Sequence, residues 1–204
     1  MTENMLKEKR LFIFLFLWIV SVAGSLKPAH AQNNVTVRVQ VLNRDKDKEL
    51  LPFSLTRPLV INDFKGRPKQ SSPGAAATFS GIKMTISAKE ENGKTTVIVT
   101  LFPYFKIQES WMKKTGKNAR VLAHEQIHFD LTAIQTCRLA NAIEKASFAG
   151  DWHNHLLKLR EKYMKELKQM QDQYDKDTHH GTLTEQQKAY SQFVADQMEQ
   201  QNCW

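Results

Sequence analysis

The chain has 204 residues, of which 41% are hydrophobic and 25% are charged, with a formal net charge of +8 and two cysteines. This composition excludes a disordered chain, a collagen-like repeat and a disulfide-framework scaffold, and the length suits one hydrophobic core of ordinary size. The basic residues are mixed with acidic ones along the sequence and form no dense block, so we expect no nucleic-acid partner.

The N-terminus has the order of features of a secretory signal peptide. Three basic residues in the first ten positions precede an apolar run at residues 11–20, and a small-residue cleavage pattern ends at Ala31. The run is too short to span a bilayer as a helix. We therefore expect a signal peptide at 1–31, a single domain at 32–204, and a secreted or periplasmic protein without stable membrane insertion after cleavage. An uncleaved N-terminal anchor is the alternative.

The expected export of the protein bears on whether its two cysteines form a disulfide. In an oxidising compartment Cys137 and Cys203 can pair and close a long loop, which stabilises the folded chain by a few kcal/mol. Two free thiols are the alternative. Their spacing fits neither a zinc knuckle nor a redox pair.

The first half of the mature chain predicts strands. Valines alternate with polar residues over 35–41, the period-two pattern of a half-buried strand. A short edge strand followed by a loop is expected over 55–64. Two β-prone runs, 78–88 and 95–102, flank Asn92-Gly93, which signals a hairpin because both residues tolerate the positive φ of a type I′ turn. We expect these strands to form a small antiparallel sheet.

The second half predicts helices. Residues 121–146 contain no proline or glycine and have apolar residues at helical spacing. A second helix is expected from about residue 152 to residue 170, with an interruption at 175–181, and a third from Thr184 to about residue 200. The predicted fold class is therefore α+β, a small antiparallel sheet followed by a helical half.

A metal-binding motif lies in the first of these helices. Residues 124–128 read His-Glu-Gln-Ile-His. Four residues advance a helix by about 400°, so His124 and His128 project from one face and both imidazoles can bind one zinc ion, as in zincins. Glu125 lies beside them, close enough to take a proton from water without binding the metal. The alternative is a solvated helix face that carries two histidines by chance.

A catalytic zinc also needs a third protein ligand and an open position for water. Acidic and imidazole side chains downstream are the candidates: Glu144, His153, His155, Glu161, Glu166, Asp175, Asp177, His179 and His180. Most of these are expected on solvated helix faces or at a helix start. Residues 174–181 differ, because they concentrate acids, imidazoles and a glycine in an expected interhelical loop.

The segment His124-Glu-Gln-x-His-Phe-Asp130 resembles the signature of an uncharacterised bacterial family of secreted proteins described as zinc-dependent proteases, domain of unknown function 922. Further stretches are similar to other blocks of that family: residues 63–66, 75–78, 80–82 and 105–111, and the pattern Tyr174-Asp-x-x-Thr-x-His-Gly181. The resemblance covers most of the mature chain.

The resemblance implies His180 as the third zinc ligand with His124 and His128, and the adjacent Gly181 would allow close backbone approach. Glu144 is the fallback ligand, by analogy with metallopeptidases that take a glutamate from the next helix.

Three further residues are candidates for supporting the metal site or the reaction. Tyr174 is a candidate transition-state donor, with a buried structural tyrosine as the alternative. Asp130 and Asp175 can orient ligand imidazoles through the second ring nitrogen, or they can be surface or turn acids.

These features together predict a secreted or periplasmic zinc-dependent peptidase with Glu125 as general base. A peptide or protein substrate could add as a strand to the exposed edge of the 78–102 hairpin. One alternative is a catalytically inactive zinc-binding envelope protein on a protease scaffold. Another is a basic adaptor for an anionic cell-surface polymer, with incidental histidines. Cleavage specificity and oligomeric state are not predicted.

Overall fold

The structure, a computed structural model, describes residues 34–44 and 46–201. The expected signal peptide and Cys203 lie outside the described residues. The described residues fall within one compact unit. None of the helices in them combines the length and the apolar character that crossing a membrane requires.

Strands precede helices along the described chain, which confirms the α+β class. The strands are β1 (Val35–Val41), β2 (Leu50–Pro52), β3 (Ala76–Ala77), β4 (Ser80–Glu91), β5 (Lys94–Lys106) and β6 (Trp111–Met112). The helices are α1 (Ala119–Lys145), α2 (Trp152–Thr178) and α3 (Thr184–Gln201), with short 3₁₀ helices at Ile61–Asp63 and Lys114–Gly116.

The long strand β5 organises the main sheet. Strand β4 pairs with it antiparallel along its whole length, and β2 pairs with its C-terminal end in the same sense. Strand β1 instead runs parallel to β5, from Val35 opposite Thr95 to Val41 opposite Leu101. The sheet is therefore mixed, and the expectation of an antiparallel sheet was wrong for β1. Alternating valines predict a strand with one buried face, but they do not specify its neighbour or its direction.

The hairpin between β4 and β5 is confirmed. Asn92 and Gly93 both have positive φ, 51° and 69°, as a type I′ turn requires. The edge strand expected over 55–64 was misplaced, because the strand in that region is β2 and residues 61–63 form a 3₁₀ helix. Strands β3 and β6 form a separate two-stranded antiparallel pair.

Helix α1 is the central element of the core. Its apolar residues pack against the sheet, with Leu131 and Ile134 in one cluster with Val97 and Val99 of β5. On its other sides α1 contacts α2 and α3. Cys137 of α1 is fully buried and disulfide-bonded.

Helix α2 is longer than expected. We predicted an interruption at 175–181, but the helix continues to Thr178, because no proline or glycine ends it earlier. It ends where His179, His180 and Gly181 take positive φ values of 46°, 53° and 75°. Asp175 is consequently held in the last turn of a regular helix and not in a loop.

Candidate metal centre

Helix α1 presents two histidines to one point, as the helical spacing predicts. The helix begins after Asn118, whose side chain accepts a hydrogen bond from the backbone N–H of Val121. His124 and His128 are both buried, and their ring centroids lie 4.9 Å apart. The Nε2 atom of each ring lies 3.1 Å from the same atom, Oδ1 of Asp175.

These three side chains form a group that could hold a metal ion. One ligand atom from each of His124, His128 and Asp175 lies within 4.8 Å of the other two. Two imidazole nitrogens and one carboxylate oxygen are a donor set that zinc accepts, and they leave a coordination position open in a tetrahedral site. The third side chain of the group, Asp175, comes from α2 and lies 47 residues beyond His128 in the sequence.

The charge state of Asp175 suits this role. Partial burial would raise the pKa of Asp175, but the hydrogen bonds with His124 and His128 and their charge outweigh it and hold that pKa well below its ordinary value. The carboxylate is therefore ionised at neutral pH and can bind a cation.

Gln187 of α3 contacts the opposite edge of the His124 ring. Its Oε1 atom lies 3.2 Å from Nδ1 of His124 and accepts a hydrogen bond of 2.7 Å from the hydroxyl of Tyr174. Both ring nitrogens of His124 therefore face oxygen acceptors, Nδ1 facing Gln187 and Nε2 facing Asp175 at 3.1 Å. A metal cation can replace the proton that Nε2 shares with Asp175, while Nδ1–H keeps its hydrogen bond to Gln187. This is the arrangement expected of a metal-binding histidine.

Tyr174 supports His124 from behind. Its ring is fully buried and stacks on the His124 ring at a centroid distance of 4.6 Å. Its hydroxyl donates to Gln187 and lies 3.3 Å from the carbonyl oxygen of His124, and burial raises its pKa far above the ordinary value. These contacts favour the buried structural tyrosine over the transition-state donor.

Glu125 is buried next to the group and has a free oxygen. Its Oε2 atom has no hydrogen-bond partner within the part of the chain that the structure describes. It lines a cavity of about 200 Å³ together with His124, His128 and Asp175. Residues 74–78 also line this cavity, and the hydroxyl of Thr78 donates to the backbone carbonyl of Glu125. A buried carboxylate oxygen without a partner is costly, so its presence in a residue that lines a cavity indicates a place for water or a ligand.

The turn after α2 closes one side of the site. Gly181 packs so tightly on His124 that a Cβ atom there would lie 2.8 Å from Cγ of the ring. The expected close backbone approach at Gly181 is therefore present. His180, the expected third ligand, lies at the rim with its side chain 72% exposed and its Nδ1 atom 3.4 Å from Oδ1 of Asp175. It lines the cavity but does not belong to the three-atom group.

Two other expected roles do not match the geometry. Glu144 lies on α1 itself, and 20 residues along one helix separate it from His124 by about 30 Å, so it cannot be a ligand. Asp130 accepts a hydrogen bond from the side chain of Gln126 and not from a ligand imidazole. Gln126 in turn accepts a hydrogen bond from the backbone N–H of Leu59.

The contact of Gln187 with the site was not predicted from the sequence. A signal for it exists, because it continues the helical stripe of Tyr190, Val194 and Met198 in α3, where an apolar residue is expected. A polar residue in such a stripe indicates a buried hydrogen-bond partner.

Comparison of the chain with protein-family models, curated proteins and solved structures finds no match. The resemblance to the protease family therefore stays a prediction based on motifs.

Proposed function

We propose that the protein is a zinc-dependent peptidase that acts outside the cytoplasm. The observation that carries the proposal is the juxtaposition of two features in one cavity. Three ligand atoms converge there, and beside them the Glu125 carboxylate is buried with one oxygen free. A closed structural metal site would have no need of such a carboxylate.

His124, His128 and Asp175 are the proposed protein ligands. Zinc, when bound to them, would lower the pKa of a water molecule and polarise a substrate carbonyl. His180 is the alternative third ligand, since its Nδ1 atom lies 3.4 Å from the Asp175 carboxylate.

Glu125 is the proposed general base. Its Oε2 atom is free to accept the proton of the attacking water and to return it to the leaving amine. Gln187 and Tyr174 hold the His124 ring in the orientation that directs Nε2 to the site.

Strand β3 is the element best placed to hold an extended peptide. Residues 74–78 line the same cavity as the histidines, and β3 pairs with β6 alone among the described strands. A peptide added to the other edge of β3 would lie next to the cavity that Glu125 lines. This replaces the hairpin edge as our proposed substrate-binding strand.

The test is the Glu125→Gln variant, assayed for zinc content and for hydrolysis of a peptide library. We expect bound zinc and a loss of about 100- to 10,000-fold in kcat/KM. Glu144→Gln is the matched control, because Glu144 is an exposed glutamate of the same helix. Full activity in Glu125→Gln would refute the assigned base, and zinc without any hydrolysis in the unmodified protein would favour the inactive zinc-binding envelope protein.

A further inference from the structure

Two segments of the chain carry cations and no acidic residue. Residues 64–78 and 110–124 contain no aspartate or glutamate. Their cations are Lys65, Arg67, Lys69, Lys113, Lys114, Lys117 and Arg120, which we call the basic rim. The formal net charge of the whole chain is +8, so the seven cations of the basic rim leave only +1 for all other residues.

The fold brings these two segments together. The backbone N–H of Gly66 donates to the carbonyl of Ser110 at 2.8 Å, and that of Lys113 donates to the carbonyl of Ala75 at the same distance. The Lys113 ammonium also donates to the carbonyl of Ser72. Cations from two separate stretches of the sequence therefore lie near one another in space.

The charges of the basic rim are available to a partner. Among the described residues, none of its seven cations takes part in an ion pair. Lys113 and Arg120 bind backbone carbonyls, and the other five side chains are exposed. Unpaired charges of one sign attract a partner of the opposite sign.

The two segments that carry the basic rim reach the cavity of the candidate metal centre. Residues 74–78 end the first segment and line the cavity, and Val121 of the second segment also lines it. Arg120 donates to the carbonyl of Gly181, the residue that packs on His124. Strand β3 of the first segment pairs with β6 of the second, so a chain lying along β3 would lie next to both segments.

We propose that the basic rim binds acidic side chains of a polypeptide substrate next to the bond that is cleaved. The identification of the partner as a substrate rests on the proposed peptidase function. The recognition of negative charge does not depend on that function, because it follows from the unpaired cations of the basic rim. The proposed partner is a polypeptide, because the small residues at 74–78 line the cavity and include strand β3, and a strand suits an extended peptide.

The experiment measures binding separately from hydrolysis. Two fluorescein-labelled peptides of equal length share an alanine-glycine centre and carry either glutamates or glutamines at both ends. Their dissociation constants are measured by fluorescence anisotropy with the purified Glu125→Gln protein, so that cleavage does not interfere. A rim variant replaces Lys65, Arg67, Lys114 and Lys117 by glutamine, and a control variant does the same at the exposed Lys158, Arg160, Lys165 and Lys188.

We expect the glutamate peptide to bind about tenfold more tightly than the glutamine peptide at low ionic strength, with the difference shrinking as salt is added. The rim variant should lose this preference, and the control variant should keep it. Equal affinities for the two peptides, or an equal loss in both variants, would overturn the proposal. So would binding of dextran sulfate, a soluble polyanion, without binding of the glutamate peptide, which would indicate an anionic polymer.

Failure of this inference can be told apart from failure of the proposed function. Hydrolysis of both peptides by the unmodified protein at equal rates and affinities would overturn the basic rim and leave the peptidase standing. Selective binding of the glutamate peptide without hydrolysis would support the basic rim and count against the peptidase.

Discussion

Two regions next to the candidate metal centre hold their imidazole side chains in different ways. Helix α1 carries His124 and His128, which are buried one turn apart in a regular helix. The turn after α2 carries His180 at the rim of the site, where its side chain is 72% exposed and its backbone φ is 53°. A regular helix fixes the spacing of ligands through its own geometry. A turn can bring an imidazole close to a site without holding it there.

The largest expected effect comes from removing Asp175, the proposed third ligand. Asp175→Ala should reduce zinc affinity by more than about 100-fold, whereas His180→Ala should change it by less than about threefold. The readout is zinc content and competition with a chelator. Asp172→Ala is the control, because Asp172 lies on the same helix and lines the same cavity. If His180→Ala loses zinc and Asp175→Ala keeps it, the comparison between helix and turn is reversed.

The turn itself is tested by Gly181→Ala. Gly181 has φ +75° and its absent Cβ would press on the His124 ring, so we expect a loss of about 2–4 kcal/mol in the free energy of unfolding. Gly93 has φ +69° with nothing within 4 Å of a Cβ, so Gly93→Ala should cost only about 1 kcal/mol. Urea denaturation of the metal-free proteins measures both. Equal losses would mean that the contact with His124 adds nothing.

The outer partner of His124 is tested by Gln187→Leu. Without its acceptor the imidazole no longer has a preferred tautomer, so zinc affinity should fall by about 10- to 100-fold. Gln187→Glu, which keeps the acceptor, should bind zinc better than Gln187→Leu. The exposed neighbour Gln186 provides the control Gln186→Leu. An unchanged affinity in Gln187→Leu would show that α1 positions His124 without help from α3.

The same contrast explains what the sequence could predict. The spacing of His124 and His128, the hairpin at Asn92-Gly93 and the extent of α1 depend on neighbours within a few residues, and all three were predicted correctly. The parallel pairing of β1 with β5 depends on contacts between residues 60 positions apart. The alternation of valines and polar residues in β1 does not indicate which strand it pairs with or in which direction.

The position of Asp175 beside the two histidines was difficult to predict for two reasons. The first is local, because the cluster of polar residues at 174–181 resembles a loop although α2 continues through Asp175. The second is tertiary, because only the packing of α2 on α1 shows which of Asp175 and His180 faces the two Nε2 atoms. The concentration of positive charge likewise becomes visible only when residues 64–78 and 110–124 lie side by side.

The smallest expected effect on zinc affinity comes from Asp130, an acid of α1 whose hydrogen bond is with Gln126. Burial raises the pKa of Asp130 to about 6 from 3.8, against the hydrogen bond from Gln126, which lowers it. The folded state therefore binds more protons than the unfolded state between these values, and stability falls as the pH rises through them. Asp130→Asn should be more stable than the unmodified protein by about 1–3 kcal/mol at neutral pH and equally stable below about pH 4.

Asp130→Asn also distinguishes an effect on stability from an effect on zinc binding within α1. Because the Asp130 side chain pairs with Gln126 and not with an imidazole, zinc affinity at neutral pH should be unchanged. Urea denaturation of the metal-free protein across this pH range, with zinc titration at neutral pH, measures both quantities. A fall in zinc affinity as large as that of Gln187→Leu would mean that Asp130 orients a ligand after all. A pH-independent stability difference would mean that its charge is not what opposes folding.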